Sequence, residues 1–115
     1  MSLTIYHNPR CSKSRQTLKL IEEAGVKVDI VLYLDSPPSV TEISDLLSKL
    51  GFASAQQLMR KGETIYKELS LKAETDETAL LLAMSSHPKL IERPIVVKGN
   101  KAVLGRPPEN AAQFL

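Results

Sequence analysis

The stretch that decides the fold is LTIYHNPRCSKSR, residues 3–15. Side-chain character alternates along residues 3–7, and several of these residues favour β-structure, so they predict a strand. Asn8-Pro9 ends the strand because proline lacks the N–H that a sheet requires. A helix is then predicted from about Ser12 to Ala24, with apolar side chains on one face and Gly25 as a left-handed residue at its end. A strand that runs through a short turn into a helix is the beginning of a βαβ unit.

The other predicted strands follow at residues 26–34, 95–97 and 101–104. The second strand is rich in Val, Ile, Leu and Tyr and stops at Ser36-Pro37-Pro38. The last two strands form a hairpin around the two-residue turn Gly99-Asn100. Pro107-Pro108 then opens a final helix that is expected to reach Leu115, because proline suits the first turn of a helix.

Between these two parts, at about residues 36–91, the sequence predicts helices. Ser39-Val40-Thr41-Glu42 fits a capping box and is followed by an apolar stripe that ends before Gly51. Ser54-Ala55-Gln56-Gln57 repeats the cap pattern for a short helix that ends near Gly62. A longer helix is predicted from about Asp76 to Ser86, and residues 89–91 add a turn. The element order predicts one α/β domain over residues 1–115: a thioredoxin-like, four-stranded mixed sheet flanked by helices, with a helical insertion between its βαβ and ββα halves.

The composition limits the classes of function. The chain has 115 residues, a net charge of +2 and a single cysteine. A single cysteine excludes a disulfide framework and a cysteine-based zinc site, and it indicates a reducing compartment. The charge is too small for a nucleic-acid-binding face, and the longest apolar run, Ala79–Met84, is too short to span a bilayer. The N-terminus has no signal-peptide pattern, so we expect a cytoplasmic monomer that binds neither nucleic acid nor membrane.

Cys11 is the candidate nucleophile. It is predicted to lie at the N-terminus of the first helix, where unpaired N–H groups and the helix dipole favour an anion and lower a thiol pKa. Arg10, Lys13 and Arg15 add positive charge. His7 lies four residues before Cys11, across the turn, and would add charge if protonated. The alternative is a small buried hydrophobic cysteine, which is less compatible with such polar neighbours.

The absence of a second cysteine constrains the chemistry. Ser14 stands where a Cys-x-x-Cys motif would place its second thiol, so any disulfide must use a thiol from another molecule. A phosphatase-type Cys-x5-Arg loop is excluded because position 17 is threonine. The nucleotide-binding glycine motifs and His-Glu-x-x-His are also missing, and two histidines with one cysteine make a metal site improbable.

Three arginines next to turns and prolines are candidate ligands for an oxyanion. Arg60 ends the short helix, Arg93 precedes Pro94, and Arg106 precedes the last helix. Each alone is most simply a solvated arginine. As a set, however, they offer the forked donors that suit tetrahedral oxyanions.

The loop and the arginines together resemble the glutaredoxin-linked arsenate reductase family. The resemblance covers nearly the whole chain and rests on four segments: His7-Asn8-Pro9-x-Cys11-x-x-Ser14-Arg15, Leu58-Met59-Arg60-Lys61, Glu92-Arg93-Pro94-Ile95-Val96-Val97 and Gly105-Arg106-Pro107. It implies the thioredoxin-like fold already indicated by the element order. It also implies an enzyme that reduces arsenate to arsenite.

The resemblance further implies a role for each candidate residue. Cys11 would attack arsenic, His7 would help to keep it ionised, and Ser14 would hydrogen-bond the thiolate. The three arginines would bind the oxygens of arsenate and arsenite. Pro94 would be a cis-proline facing the cysteine, with Asn8 and Arg15 as structural residues of the site.

The same resemblance implies the reductants. Glutathione would act on the enzyme–arsenic adduct as a reducing co-substrate, and glutaredoxin would resolve the mixed disulfide, with no bound cofactor and no metal. Two alternatives remain: a monothiol oxidoreductase acting on glutathione mixed disulfides, and a non-catalytic thiol-stress regulator on the same fold. The three arginines argue against the monothiol oxidoreductase, because a disulfide substrate needs no oxyanion-binding site. Ser14 argues against the regulator, because the regulator branch of the family typically uses a Cys-x-x-Cys pair.

Overall fold

The computed structural model describes residues 2–115. Within that range the strands are β1 (Leu3–Tyr6), β2 (Val28–Val31), β3 (Ile95–Lys98) and β4 (Lys101–Leu104), and the α-helices are α1 (Ser12–Glu23), α2 (Val40–Leu50), α3 (Thr64–Glu68) and α4 (Glu77–Ser86). Short 3₁₀ helices span Ala55–Leu58, Leu71–Ala73, Pro88–Leu90 and Pro108–Phe114. No helix in the described part of the chain is long and apolar enough to cross a membrane.

The chain forms two compact units. The first contains the described residues through Ser36 together with Arg93–Leu115, and the second is Pro37–Glu92. All four strands, α1 and the last 3₁₀ helix belong to the first unit. The other helices belong to the second unit.

The first unit is built on one mixed sheet with strand order β2-β1-β3-β4. β1 runs parallel to β2 and antiparallel to β3, and β4 runs antiparallel to β3. The central strand places Ile5 between Ile30 and Val96. The predicted four-stranded mixed sheet of a thioredoxin-like α/β fold is therefore confirmed.

The core of the first unit lies on one face of this sheet. It is formed by residues from β1, α1, β3 and the last helix: Leu3, Ile5, Ile21, Val96, Ala111 and Phe114. Because Ile21 comes from α1 and Phe114 from the C-terminal helix, burial of these side chains fixes both helices on the sheet. This packing holds the N-terminus of α1 beyond the end of β1.

The second unit is stabilised by the two predicted caps. Ser39 Oγ accepts from Glu42 N at 3.1 Å while Glu42 accepts from Ser39 N, and the same reciprocal arrangement joins Ser54 and Gln57. α2 ends before Gly51, as predicted, and Gly51 adopts the left-handed conformation with φ 75°. α2 and α4 pack against each other, and Met59 pairs with Ile91 in an isolated antiparallel bridge.

Some element bounds differ from the sequence prediction. β2 covers only Val28–Val31 rather than residues 26–34, since its single partner β1 is equally short. α3 and the 3₁₀ helix Leu71–Ala73 were not predicted, and the C-terminal helix is 3₁₀ rather than α. These short elements lack the repeated apolar spacing by which longer helices are recognised.

Candidate active site

Cys11 is the N-cap residue of α1, in extended conformation. Its N–H donates to Asn8 O at 3.0 Å, and its carbonyl accepts the first helical hydrogen bond from Arg15 N, also at 3.0 Å. No acidic residue occupies the first turn of α1. The unpaired amides of this helix end are therefore available to an anion at or near the half-buried sulfur.

The loop before Cys11 is held by its own side chains. Asn8 Oδ1 accepts from Arg10 N at 3.0 Å, which is an Asx turn. The guanidinium of Arg15 reaches back from α1 and donates to Pro9 O at 2.9 Å. Asn8 and Arg15 thus fix the backbone from the end of β1 to the cysteine.

The thiol is tuned by groups from two parts of the first unit. Partial burial acts to raise the pKa of Cys11, but the N–H of Ser14, the charge of Arg93 and the N–H of Lys13 oppose it and hold the pKa below the ordinary value of 9.0. Arg93 also contributes a side-chain hydrogen bond to the sulfur. Of the three arginines predicted to form the oxyanion site, Arg93 is therefore brought to the cysteine by the fold.

Ser14 connects Cys11 to His7. The Ser14 side chain is completely buried, and its Oγ lies 2.6 Å from Nδ1 of His7 and accepts from Asn8 N at 3.0 Å. Its influence on the thiolate comes through the backbone N–H, whereas its hydroxyl binds the end of β1. The serine thus ties the helix start to the strand end.

His7 is held in its neutral form. Burial lowers the pKa of the imidazole below 6.5, Glu22 acts to raise it, and Arg15 acts to lower it further. Only 6% of the residue is exposed. The structure therefore favours a hydrogen-bonding role for His7 over a charged one.

Pro94 follows Arg93 through a cis peptide bond at the entry to β3. Its carbonyl accepts from Gly105 N at 2.9 Å. A Cβ atom built on Gly105 would lie 2.6 Å from Thr17 Oγ1 and 2.7 Å from Pro94 Cγ, so only glycine allows this approach of the backbone. Arg93 is consequently positioned by close packing of β3 and the segment after β4 against α1.

Sequence reasoning missed Thr17 as a member of this arrangement. Thr17 is fully buried, and its hydroxyl lies 2.8 Å from Lys13 O and 3.3 Å from Gly105 O. Its spacing after Ser14 and before Ile21 on α1 places all three on the buried face, which is the signal that was available.

The structure places the other two arginines differently. Arg106 is exposed, after β4, and a cis peptide bond joins it to Pro107. Arg60 lies in the second unit with a half-buried side chain, where Nη1 is 3.5 Å from Glu63 Oε2 and Nε is 3.6 Å from Glu92 Oε1. Two carboxylates thus hold Arg60 in a defined orientation.

Within residues 2–115, no group of three or more His, Cys, Asp and Glu side chains is placed to hold a metal ion. What the site offers is one activated thiolate beside a fixed guanidinium and a helix N-terminus. This arrangement suits nucleophilic attack on an electrophile that carries anionic oxygens.

Comparisons with known proteins agree on one family. The sequence model of the ArsC family matches residues 6–114. An arsenate reductase of Neisseria meningitidis is 51% identical over 114 residues, which cover 98% of this chain and 97% of that protein. An arsenate reductase of Haemophilus influenzae is 47% identical, with both chains fully covered. The solved structure of an arsenate reductase from Vibrio cholerae superposes with a TM-score of 0.96 at 48% identity, covering 100% of this chain and 98% of that one.

Proposed function

The chain belongs to the ArsC family, and on that premise we propose that it is an arsenate reductase that uses the Cys11 thiolate to reduce arsenate to arsenite. The observation that carries the proposal is the lowered pKa of the Cys11 thiol at the N-terminus of α1, to which Arg93 contributes both its charge and a side-chain hydrogen bond. A reactive thiol alone would serve many oxidoreductases. A fixed guanidinium beside it selects a substrate with anionic oxygens.

Charge is the first obstacle to this reaction. By analogy with phosphate, arsenate carries roughly one to two negative charges at neutral pH, and the nucleophile is itself an anion. The helix N-terminus supplies only about half a positive charge. Arg93 supplies a full charge that arsenate oxygens can share with the sulfur. We propose that Arg60 and Arg106 complete the set of cations, as the family resemblance implies.

The first chemical step forms a sulfur–arsenic bond. As the Cys11 thiolate attacks, one arsenic–oxygen bond breaks, and its oxygen leaves as water after protonation. Arsenic is still pentavalent in this adduct. The N–H groups at the start of α1 and Arg93 would stabilise the oxygens throughout the step.

The second step transfers two electrons. A glutathione thiolate attacks the Cys11 sulfur, so that a disulfide bond forms and the sulfur–arsenic bond breaks. The electron pair of the broken bond stays on arsenic, which becomes trivalent and leaves as arsenite. Because Cys11 is the sole cysteine, an external thiol is unavoidable. Glutaredoxin then attacks the mixed disulfide at the glutathione sulfur and releases the Cys11 thiolate.

The remaining residues would act by positioning. Ser14 and His7 hold the start of α1 to the end of β1, and Asn8 and Arg15 hold the loop between them. The hydrogen bond of Gly105 N to Pro94 O would hold the segment that carries Arg93. A thiolate with this role must stay reduced between turnovers, which suits the cytoplasm, where we place the protein.

The test is arsenite production from arsenate with glutathione and glutaredoxin, each omitted in turn. Activity that requires all three components, and is lost in Cys11→Ser, is the expected result. Reduction of a glutathione mixed disulfide without arsenate reduction would favour the monothiol oxidoreductase instead. Absence of both activities in a folded protein would favour the regulator.

A further inference from the structure

The second unit contains a cavity of about 730 Å³ formed entirely by its own residues. It lies between the 3₁₀ helices Ala55–Leu58 and Leu71–Ala73 and the short helix α3. Its lining includes Gln56, Tyr66 and Glu74 together with the three lysines Lys61, Lys67 and Lys72. A cavity of this size is within the usual range for small-molecule sites, roughly 300–1,000 Å³.

A hydrogen-bonded pair fixes one wall of this cavity. Tyr66 OH donates to Gln56 Oε1 at 2.8 Å, and Gln56 Nε2 donates to Leu71 O at 2.7 Å. Tyr66 is only 6% exposed, so its ring is held in place by the packing. The three segments that surround the cavity are thereby joined through one glutamine, and the cavity is preformed. Ser70, at its edge, has a left-handed backbone with φ 54°.

The charge around the cavity is strongly asymmetric. Three lysines face one glutamate, Glu74, although the whole chain has a net charge of only +2. The ion pairs found among residues 2–115 join Lys19 to Glu23 and Arg60 to Glu63 and Glu92, so none involves the cavity lysines. Their ammonium groups are therefore available to a ligand.

We propose that this cavity binds a nucleotide-sized organic phosphate with at least two negative charges. The aliphatic stems of the lysines offer an apolar surface to the body of such a ligand. The ammonium groups offer separate point charges to its phosphate oxygens. Lysine binds phosphate as a point charge, and three such charges around one cavity suit a ligand whose negative charge is spread over several phosphate oxygens.

The site is independent of the proposed arsenate chemistry. It uses neither Cys11 nor the three arginines, and a phosphate ligand held there takes no part in the electron transfer. Lys67 and Lys72 can therefore be changed without altering the reductase residues. The competing explanation is that three solvated lysines happen to surround a hydrophobic depression.

The probe is ADP, measured by isothermal titration calorimetry with the full chain at low ionic strength and without magnesium. Three comparison ligands separate the contributions to binding. Adenosine has the nucleoside without phosphate, pyrophosphate has the phosphates without the nucleoside, and isophthalate has a ring with two carboxylates in place of phosphates. We expect ADP to bind more tightly than each of them. Lys67→Gln and Lys72→Gln should each weaken ADP binding about fivefold, the effect of a partly solvated charge pair.

Two control variants make the result decisive. Lys89→Gln removes the same charge from an exposed position of the same unit and should leave ADP binding unchanged. Arg93→Ala should also leave it unchanged, whereas arsenate reduction falls. The proposal would be overturned if ADP did not bind, or if isophthalate bound as tightly as ADP. It would also be overturned if Lys67→Gln and Lys89→Gln weakened ADP binding equally, or if Arg93→Ala abolished it. Thermal unfolding of every variant checks that the fold is retained.

Discussion

Nδ1 of His7 lies 2.6 Å from Oγ of Ser14, which makes a buried histidine and a buried serine the junction between β1 and α1. The serine oxygen also accepts from Asn8 N at 3.0 Å. Both side chains are almost inaccessible to solvent. The junction lies within one helical turn of Cys11, so its integrity determines where the thiolate and the first helical amides are placed.

Removal of the His7 imidazole should therefore lower the stability of the fold more than it changes the acidity of the Cys11 thiol. His7→Ala leaves the Ser14 hydroxyl with an unmet buried hydrogen bond, so we expect a loss of about 1–3 kcal/mol in the free energy of unfolding. The Cys11 pKa should change little, because the histidine is neutral at physiological pH. Chemical denaturation and the pH profile of iodoacetamide alkylation measure the two quantities. A raised thiol pKa with unchanged stability would show that imidazolium charge supports the thiolate.

The lowered pKa of His7 also sets the sign of a pH effect. Between its folded pKa and about 6.5 the unfolded chain binds more protons than the folded one, so stability rises with pH there and is lost as pH falls through that window. His7→Gln should flatten this part of the profile. Unfolding free energies from pH 5 to 7.5 test it, and a parental slope in the variant would assign the effect to other groups.

The pKa of Cys11 should depend on Arg93 but not on the Lys13 side chain. Arg93 acts through its guanidinium, whereas Lys13 contributes through its backbone N–H. Arg93→Ala should raise the pKa measured by iodoacetamide alkylation, and Lys13→Ala should leave it close to the parental value. Equal shifts in the two variants would mean that general positive charge, and not the placed guanidinium, favours the thiolate.

The arginines should differ in how they support arsenate reduction. We expect Arg60→Ala, Arg93→Ala and Arg106→Ala each to lower kcat/KM for arsenate. The corresponding loss of transition-state stabilisation should be ~1.5–3 kcal/mol, the range of a charge-assisted hydrogen bond. Arg→Lys should restore part of it, since an ammonium cannot bind two oxygens in a fork. Only Arg93→Ala should also change thiol acidity. Parental kcat/KM in all three alanine variants would leave the arginines without a role in arsenate use.

Gly105 should tolerate no side chain. Gly105→Ala places a Cβ 2.6 Å from Thr17 Oγ1 and 2.7 Å from Pro94 Cγ, which should cost roughly 1–3 kcal/mol as overpacking does in other cores. Gly62→Ala is the matched control, because nothing lies within 4 Å of its added Cβ. Thr17→Ala in the Gly105→Ala background should recover part of the loss. Thermal and chemical unfolding measure all three variants, and equal stability of the two alanine variants would contradict the packing.

Local patterns carried most of what could be predicted about the fold. The strand-turn-helix at residues 3–15, the capping boxes at Ser39 and Ser54, and Gly51 all depend on neighbours within a few positions. The length of β2 could not be read in the same way, because a strand extends only where a partner strand accompanies it. α3 has five residues and is held by the Tyr66–Gln56 hydrogen bond rather than by its own propensity.

The candidate site also has a part that local sequence predicts and a part that only the packed fold reveals. Cys11 and its place at the helix start follow from adjacent residues, and so does the need for an external thiol. The contact of Thr17 with Gly105, however, joins positions 88 residues apart. The sequence around Thr17 and the sequence around Gly105 do not predict this contact. Only the packed fold shows that the contact helps to position the segment that carries Arg93.

Ser14 also bears on how a site of this kind could change over evolution or in design. Its hydroxyl has two partners, the buried His7 and the part-buried Asn8 amide, whereas a thiol is larger and a weaker hydrogen-bonding group. Ser14→Cys would supply the second sulfur of a self-contained redox pair, but it would loosen the junction that positions the first. A monothiol enzyme that acquired a second thiol by this exchange would therefore lose stability at the junction that positions the first. A compensating change at His7, or elsewhere in the same junction, would offset that loss.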